Sequence, residues 1–122
     1  MKIKEEEEEE EEMDNIKSYN KNYALRKIKY QETQIINICD LDLVGKKINQ
    51  GDFTINISKE YYYSEEITKE EATILLKDAS IINLVGNNIV ELALDLKLAK
   101  RNSVKVIENI PFLMIFRFTG IY

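Results

Sequence analysis

Residues 68–81 read Thr68-Lys-Glu-Glu-Ala-Thr-Ile-Leu-Leu-Lys-Asp-Ala-Ser-Ile81, and they decide the fold class because they place a helix late in a chain that opens with strands. Thr68-Lys-Glu-Glu71 has the spacing of a capping box. The threonine oxygen accepts from a free backbone N–H, and Glu71 reaches back to the cap residue. Ala72, Leu75, Leu76 and Ala79 follow at helical spacing, so the pattern predicts a helix over 69–81. Asn83-Leu84-Val85-Gly86 then interrupts it and reads as a tight helix–helix corner. Beyond it a second helix is predicted over 87–97, with Val90, Ala93, Leu94 and Leu98 as its buried stripe.

Towards the N-terminus the periodicity changes. Tyr23-Ala-Leu-Arg-Lys-Ile-Lys-Tyr30 is rich in β-formers, and Gln34-Ile-Ile-Asn-Ile-Cys39 reads as the other arm of a hairpin. Asp40 to Lys47 holds acids at a turn start and Gly45 where a positive φ is wanted. Phe53-Thr-Ile-Asn-Ile-Ser58 alternates, with Phe53, Ile55 and Ile57 on one side, as a half-buried strand does. Towards the C-terminus, Asn102-Ser103 can cap one short turn, and Ile110–Phe118 reads as a last strand with Pro111 at its start. The predicted order is β-β-β-α-α-β. Strands grouped before helices imply an α+β domain over 23–122, with two helices packed on one face of a mainly antiparallel sheet.

The chain has 122 residues and a net charge of −5, unevenly spread. Glu5 to Glu12 is an unbroken glutamate run, extended by Asp14 and opposed only by Lys2 and Lys4. Residues 16–122 are therefore net positive. Adjacent like charges bury nothing, so residues 1–15 are expected to form a disordered acidic tail and 16–22 a basic linker. Cys39 is the sole cysteine, which rules out an intrachain disulfide and fits a reducing, cytoplasmic setting. The longest apolar run, Ile110 to Phe116, falls far short of the ~20 residues that span a bilayer, and no membrane partner is expected.

The chain contains no histidine, which removes the usual general base and the commonest metal ligand. Neither a metal nor a cofactor is expected. Cys39, flanked by Ile36 and Ile38, reads as a core thiol rather than a nucleophile. Asp40 and Asp42 share a face only if extended, where they suit a hard cation; an acidic turn explains them better. Glu65, Glu66, Glu70 and Glu71 surround a helix start and complement its dipole. Gly86, ahead of a helix start, can serve an anion site or simply shape the corner above buried Leu84 and Val85. Tyr61-Tyr62-Tyr63, if extended, sends at least one ring to solvent, as an interface anchor or as a lid on the core.

Basic and aromatic residues hint at a partner. Lys17, Lys21, Arg26, Lys27 and Lys29 occur without an acid between Ile16 and Tyr30, interleaved with Tyr19, Tyr23 and Tyr30. Cations neutralise phosphates and rings stack on unpaired bases, so the segment suits RNA. It also suits a solvated edge strand, where lysine discourages aggregation. Lys97, Lys100, Arg101 and Lys105 form a second group, and Lys46 and Lys47 a third.

Several landmarks resemble an archaeal family known as domain of unknown function 424. They are Cys39-Asp40 with Leu43-Val44-Gly45-Lys46, Gly51 before the alternating strand, Tyr61-Tyr62, Ala79 to Gly86 with its Asn83-Leu84-Val85-Gly86 end, and Ile110-Pro111. The resemblance covers about residues 23 to 118. That family's proline is typically followed by histidine, where this chain has Phe112, so a role needing an imidazole is absent here. The resemblance implies no known activity. Family genes often neighbour those for translation initiation factors and a ribosome export or assembly factor, which implies a partner in ribosomal RNA or a translation factor. The leading expectation is a non-enzymatic accessory protein of the archaeal translation machinery. Two others stand beside it: an adaptor using the acidic tail, and a small-ligand domain at the Gly86 helix start.

Overall fold

The computed structural model describes residues 21–117, so the acidic tail, Lys17 and Tyr19 lie outside the described residues. Two strands, β1 (Tyr23–Tyr30) and β2 (Thr33–Asp40), form the first hairpin. A second hairpin joins β3 (Lys47–Gln50) to β4 (Phe53–Asn56) as a separate two-stranded sheet. A one-turn helix, α1 (Lys59–Tyr62), and a short strand, β5 (Glu65–Ile67), follow. Then come α2 (Lys69–Asp78), β6 (Ile81–Val85) and α3 (Asn87–Asp95). A last hairpin, β7 (Lys105–Ile107) and β8 (Ile110–Phe116), completes the larger sheet.

The larger sheet runs β5-β1-β2-β6-β8-β7 and is antiparallel except at its centre, where β2 and β6 pair in parallel. The class is α+β with a mainly antiparallel sheet. The element order is richer than β-β-β-α-α-β, and the main difference falls at residues 79–86. That segment is no helix–helix corner. The first helix stops at Asp78, and Ile81-Ile-Asn-Leu-Val85 becomes a central strand. A strand covered on both faces carries apolar residues on both, which erases the alternation that would have announced it.

Side-chain parity divides the core in two. Leu25, Ile36, Ile38, Ile82, Leu84, Leu113 and Ile115 point to one face, where Ala72 and Leu76 of α2 and Ile89, Val90 and Ala93 of α3 cover them. Each such aliphatic side chain contributes about 1.5–3 kcal/mol on full burial. Ala24, Cys39, Val85 and Ile107 point to the other face, beneath Ile48 of β3, Ile57 and the α1 segment. Thr68 caps α2 through the expected box, accepting from Glu71 N–H while the Glu71 carboxylate accepts from Thr68 N–H. Tyr61 and Tyr62 lie in α1 rather than in a strand, because Ser58 caps that turn by accepting from Tyr61 N–H.

Candidate functional site

Two regions collect the side chains singled out by sequence: the outer half of β1 and the junction of β2, β6 and α3. In β1 the strand alternation separates the cations. Lys27 and Lys29 share the side of Tyr23 and Leu25, towards the helices, whereas Arg26 shares the side of Ala24 and Ile28. All three are exposed, as is Lys21. β5 pairs only with Tyr23, Ala24 and Leu25, so the strand from Arg26 onward is an open edge. Leu41 N–H donates to Asn22 C=O, which fixes the ladder phase: even positions of β1 bond to β2, and the N–H and C=O of Lys27 and Lys29 point away from the sheet.

Tyr23 does not join them. It is 5% exposed and belongs to the helix-side core, and its phenol is pushed up by burial, with Asp40 and Glu70 adding to the effect. A ring so covered cannot stack on a base. Tyr30, 68% exposed at the end of the same strand, can. In the second basic group, Arg101 makes a bidentate pair with Glu91 at 2.9 Å, the one ion pair among the described residues. Its charge is already matched.

At the junction, Gly86 has φ +119° and precedes α3. Asp40 ends β2 directly beside it. One carboxylate oxygen of Asp40 accepts from Asn88 N–H at 2.8 Å and the other from Ile89 N–H at 2.9 Å. The start of α3 therefore carries an internal anion, and the small-ligand reading of this helix start loses its vacant donors. Burial raises the Asp40 carboxyl above the usual range against the pull of those two amides, and Asp42 adds a smaller push upward. Asp42 is exposed in the turn of residues 41–43 and shares no metal-type cluster with Asp40; no group of three such ligands occurs among the described residues.

Asn83 lies in β6 opposite Asn37 of β2, and the pair was not recognised from sequence. Asn83 Nδ2 donates to Asn37 Oδ1 at 2.9 Å, and Asn37 Nδ2 donates to the Tyr61 carbonyl at 3.0 Å. Asn37 is fully buried, so these bonds answer its desolvation and pin α1 to the sheet. The available signal was an amide between two isoleucines, Ile36 and Ile38, in an apolar strand. Leu84 and Val85 are buried, as the corner reading required. A shallow cleft of about 380 Å³ opens beside Asn83, lined by Tyr61, Tyr62, Phe112, Met114 and Lys105. Cys39 is buried and its thiol is pushed up to about 12 by burial, then by Asp40 and Asp42. A thiol so shifted is no nucleophile at neutral pH.

The family model described as "Protein of unknown function (DUF424)" matches residues 28–118. No curated protein matches the chain. Among solved structures, the chain is similar to one described as the crystal structure of an uncharacterized conserved protein from Methanopyrus kandleri. The two share 18% identity over 82% of this chain and 97% of that one, with a TM-score of 0.63. At that identity the likeness shows a common fold.

Proposed function

Because this chain belongs to the DUF424 family, whose description assigns no activity, we propose from its own surface that it is a non-enzymatic accessory protein of the translation machinery. In this reading it binds ribosomal RNA, or a ribosome-associated factor, along the open half of β1. The observation that carries the reading is that Arg26, Lys27 and Lys29 sit together on an uncovered strand edge. All are exposed and none forms an ion pair within the described residues. Lys27 and Lys29 lie about 7 Å apart along one side, and Arg26 projects from the other, so a phosphate backbone running past the edge meets cations from both sides. Tyr30 supplies the stacking ring in place of Tyr23. The reactive groups elsewhere are occupied structurally: Cys39 is held as a thiol, and Asp40 is bonded to α3.

The family match begins at Ile28. Of the basic set it contains Lys29, while Lys17, Lys21, Arg26 and Lys27 precede it. The test is fluorescence anisotropy of a labelled single-stranded RNA against salt concentration, using the full chain. Binding should weaken steeply with salt. Replacing Arg26, Lys27 and Lys29 by glutamine should lower the logarithmic salt slope by about 2, since each contact to a single strand contributes about 0.7. No binding at low salt, together with no ribosome co-sedimentation, overturns the proposal.

A further inference from the structure

We propose that the uncovered half of the larger sheet, on its α1 side, is a platform for unpaired RNA bases. This rests on the RNA reading above and extends it from the β1 edge onto the sheet face. The strand registers carry the argument. Ile28 pairs with Ile35, Ile35 with Ile81 and Ile81 with Phe116, so one row of side chains crosses four adjacent strands. Residues paired in this way project to the same side, here the side of Ala24, Cys39 and Val85. Between those three and the row lies a parallel row, Arg26–Asn37–Asn83–Met114, which is roofed at its middle, where the Tyr61 carbonyl accepts from Asn37. The outer row has no such roof. Its isoleucines are only half-buried and Phe116 is 63% exposed; Tyr30, one step further out on β1, is 68% exposed.

The chemistry of this strip selects its occupant. Three strand spacings make it about 14 Å across, which suits about two or three bases. Rings stand at its two ends, Tyr30 on β1 and Phe116 on β8, and a base of any sequence stacks on a ring. Neither row contains a carboxylate. Arg26 shares the face at the β1 end, and Lys105 lines the cleft beside Met114 at the β8 end. Both cations are exposed and form no ion pair among the described residues. Apolar surface in the middle with positive charge at both margins complements a polyanion that presents flat, uncharged faces. A single strand does so, whereas a duplex encloses its bases. Asn83 donates to Asn37 and also lines the cleft, where its oxygen can accept from a base N–H.

The test uses the full chain with a fluorescein-labelled single-stranded RNA of about ten nucleotides, and the same RNA annealed to its complement. Anisotropy should show the single strand bound about tenfold or more tightly than the duplex. Phe116→Ala and Tyr30→Ala, both on exposed side chains, should each weaken single-strand binding about 5- to 150-fold without changing the salt slope. Phe116→Tyr keeps the ring and should bind as wild type does. In methyl spectra RNA should shift Ile35 and Ile81, while Ile36 and Ile82 on the helix side stay in place. Equal affinity for the duplex, unmoved Ile35 and Ile81 methyls, or ring variants within about twofold of wild type overturns this proposal and leaves the edge reading standing. No RNA binding at all overturns both. Self-association of the chain that Phe116→Ala abolishes assigns the face to a second copy, and overturns the proposal as well.

Discussion

Replacing Gly86 by alanine tests the β2–β6–α3 junction most directly. At φ +119° and ψ 155° the residue occupies a region essentially reserved for glycine, and holding alanine there costs about 1–3 kcal/mol. The added Cβ would also lie 2.4 Å from Asp40 Cγ and Oδ2 and 2.7 Å from Asp40 Cβ. The Cβ of Asp40 is backbone-anchored, so a rotamer change cannot relieve the crowding. The strand end must shift, and the carboxylate leaves Asn88 and Ile89 N–H groups unanswered. Losing such charge-assisted bonds costs about 1.5–3 kcal/mol, bringing the total to roughly 2.5–6 kcal/mol. That is a large part of the 5–15 kcal/mol typical of a whole domain. Gly45 provides the control: it has φ +93°, but nothing lies within 4 Å of its added Cβ, so Gly45→Ala reports strain alone. Urea unfolding followed by circular dichroism measures both. If the two variants lose stability within about 0.5 kcal/mol of each other, the steric role assigned to Asp40 is wrong.

Two further outcomes follow from the same region. The Asp40 carboxyl is raised above its ordinary 3.8, mainly by burial, so the folded protein holds that proton more tightly than the unfolded chain does. The contribution of this group therefore falls as pH rises from about 4 through the folded value. Wild type should lose stability relative to Asp40→Asn as pH rises from 4 to 7, read from urea midpoints, and a relative gain would contradict the assignment. Cys39, with its thiol near 12 and no exposure, should resist a thiol reagent at pH 8 in the native state and react only in denaturant; rapid native labelling would show the hairpin-side core to be open.

Much of the fold was legible because local chemistry and tertiary role agreed. The Thr68 capping box and the Ala72–Leu76 spacing are self-contained signals, and both stand in α2. The first hairpin was visible from β-formers flanking a polar break, and Gln31 closes it at φ 57°. β6 was not legible as a strand. Its partners β2 and β8 are distant in sequence, and nothing in Ile-Ile-Asn-Leu-Val distinguishes a doubly covered strand from a buried turn of helix. Tyr23 failed as a site residue for a related reason: alternation places it beside Leu25, and only the packing of α2 and α3 reveals that this side of β1 is the covered one at its start. Asp40 was singled out as a carboxylate, but its use as an internal cap depends on where α3 begins, which the local sequence of β2 does not encode.

The parallel pairing of β2 with β6 also sets the order in which the chain can assemble. The β1–β2 and β7–β8 hairpins close over a few residues, whereas Asn37 meets Asn83 across 46 positions. Local hairpins form in microseconds, and closure of the long excursion comes later and sets the pace. Until β6 arrives, the flank of β2 from Ile35 to Cys39 is bare, uncharged and apolar but for Asn37, a template for any passing strand. Nascent chains are thus most vulnerable while α2 and β6 are still emerging, and the central strand that hides its identity in the sequence is also the one whose late arrival shields its neighbour.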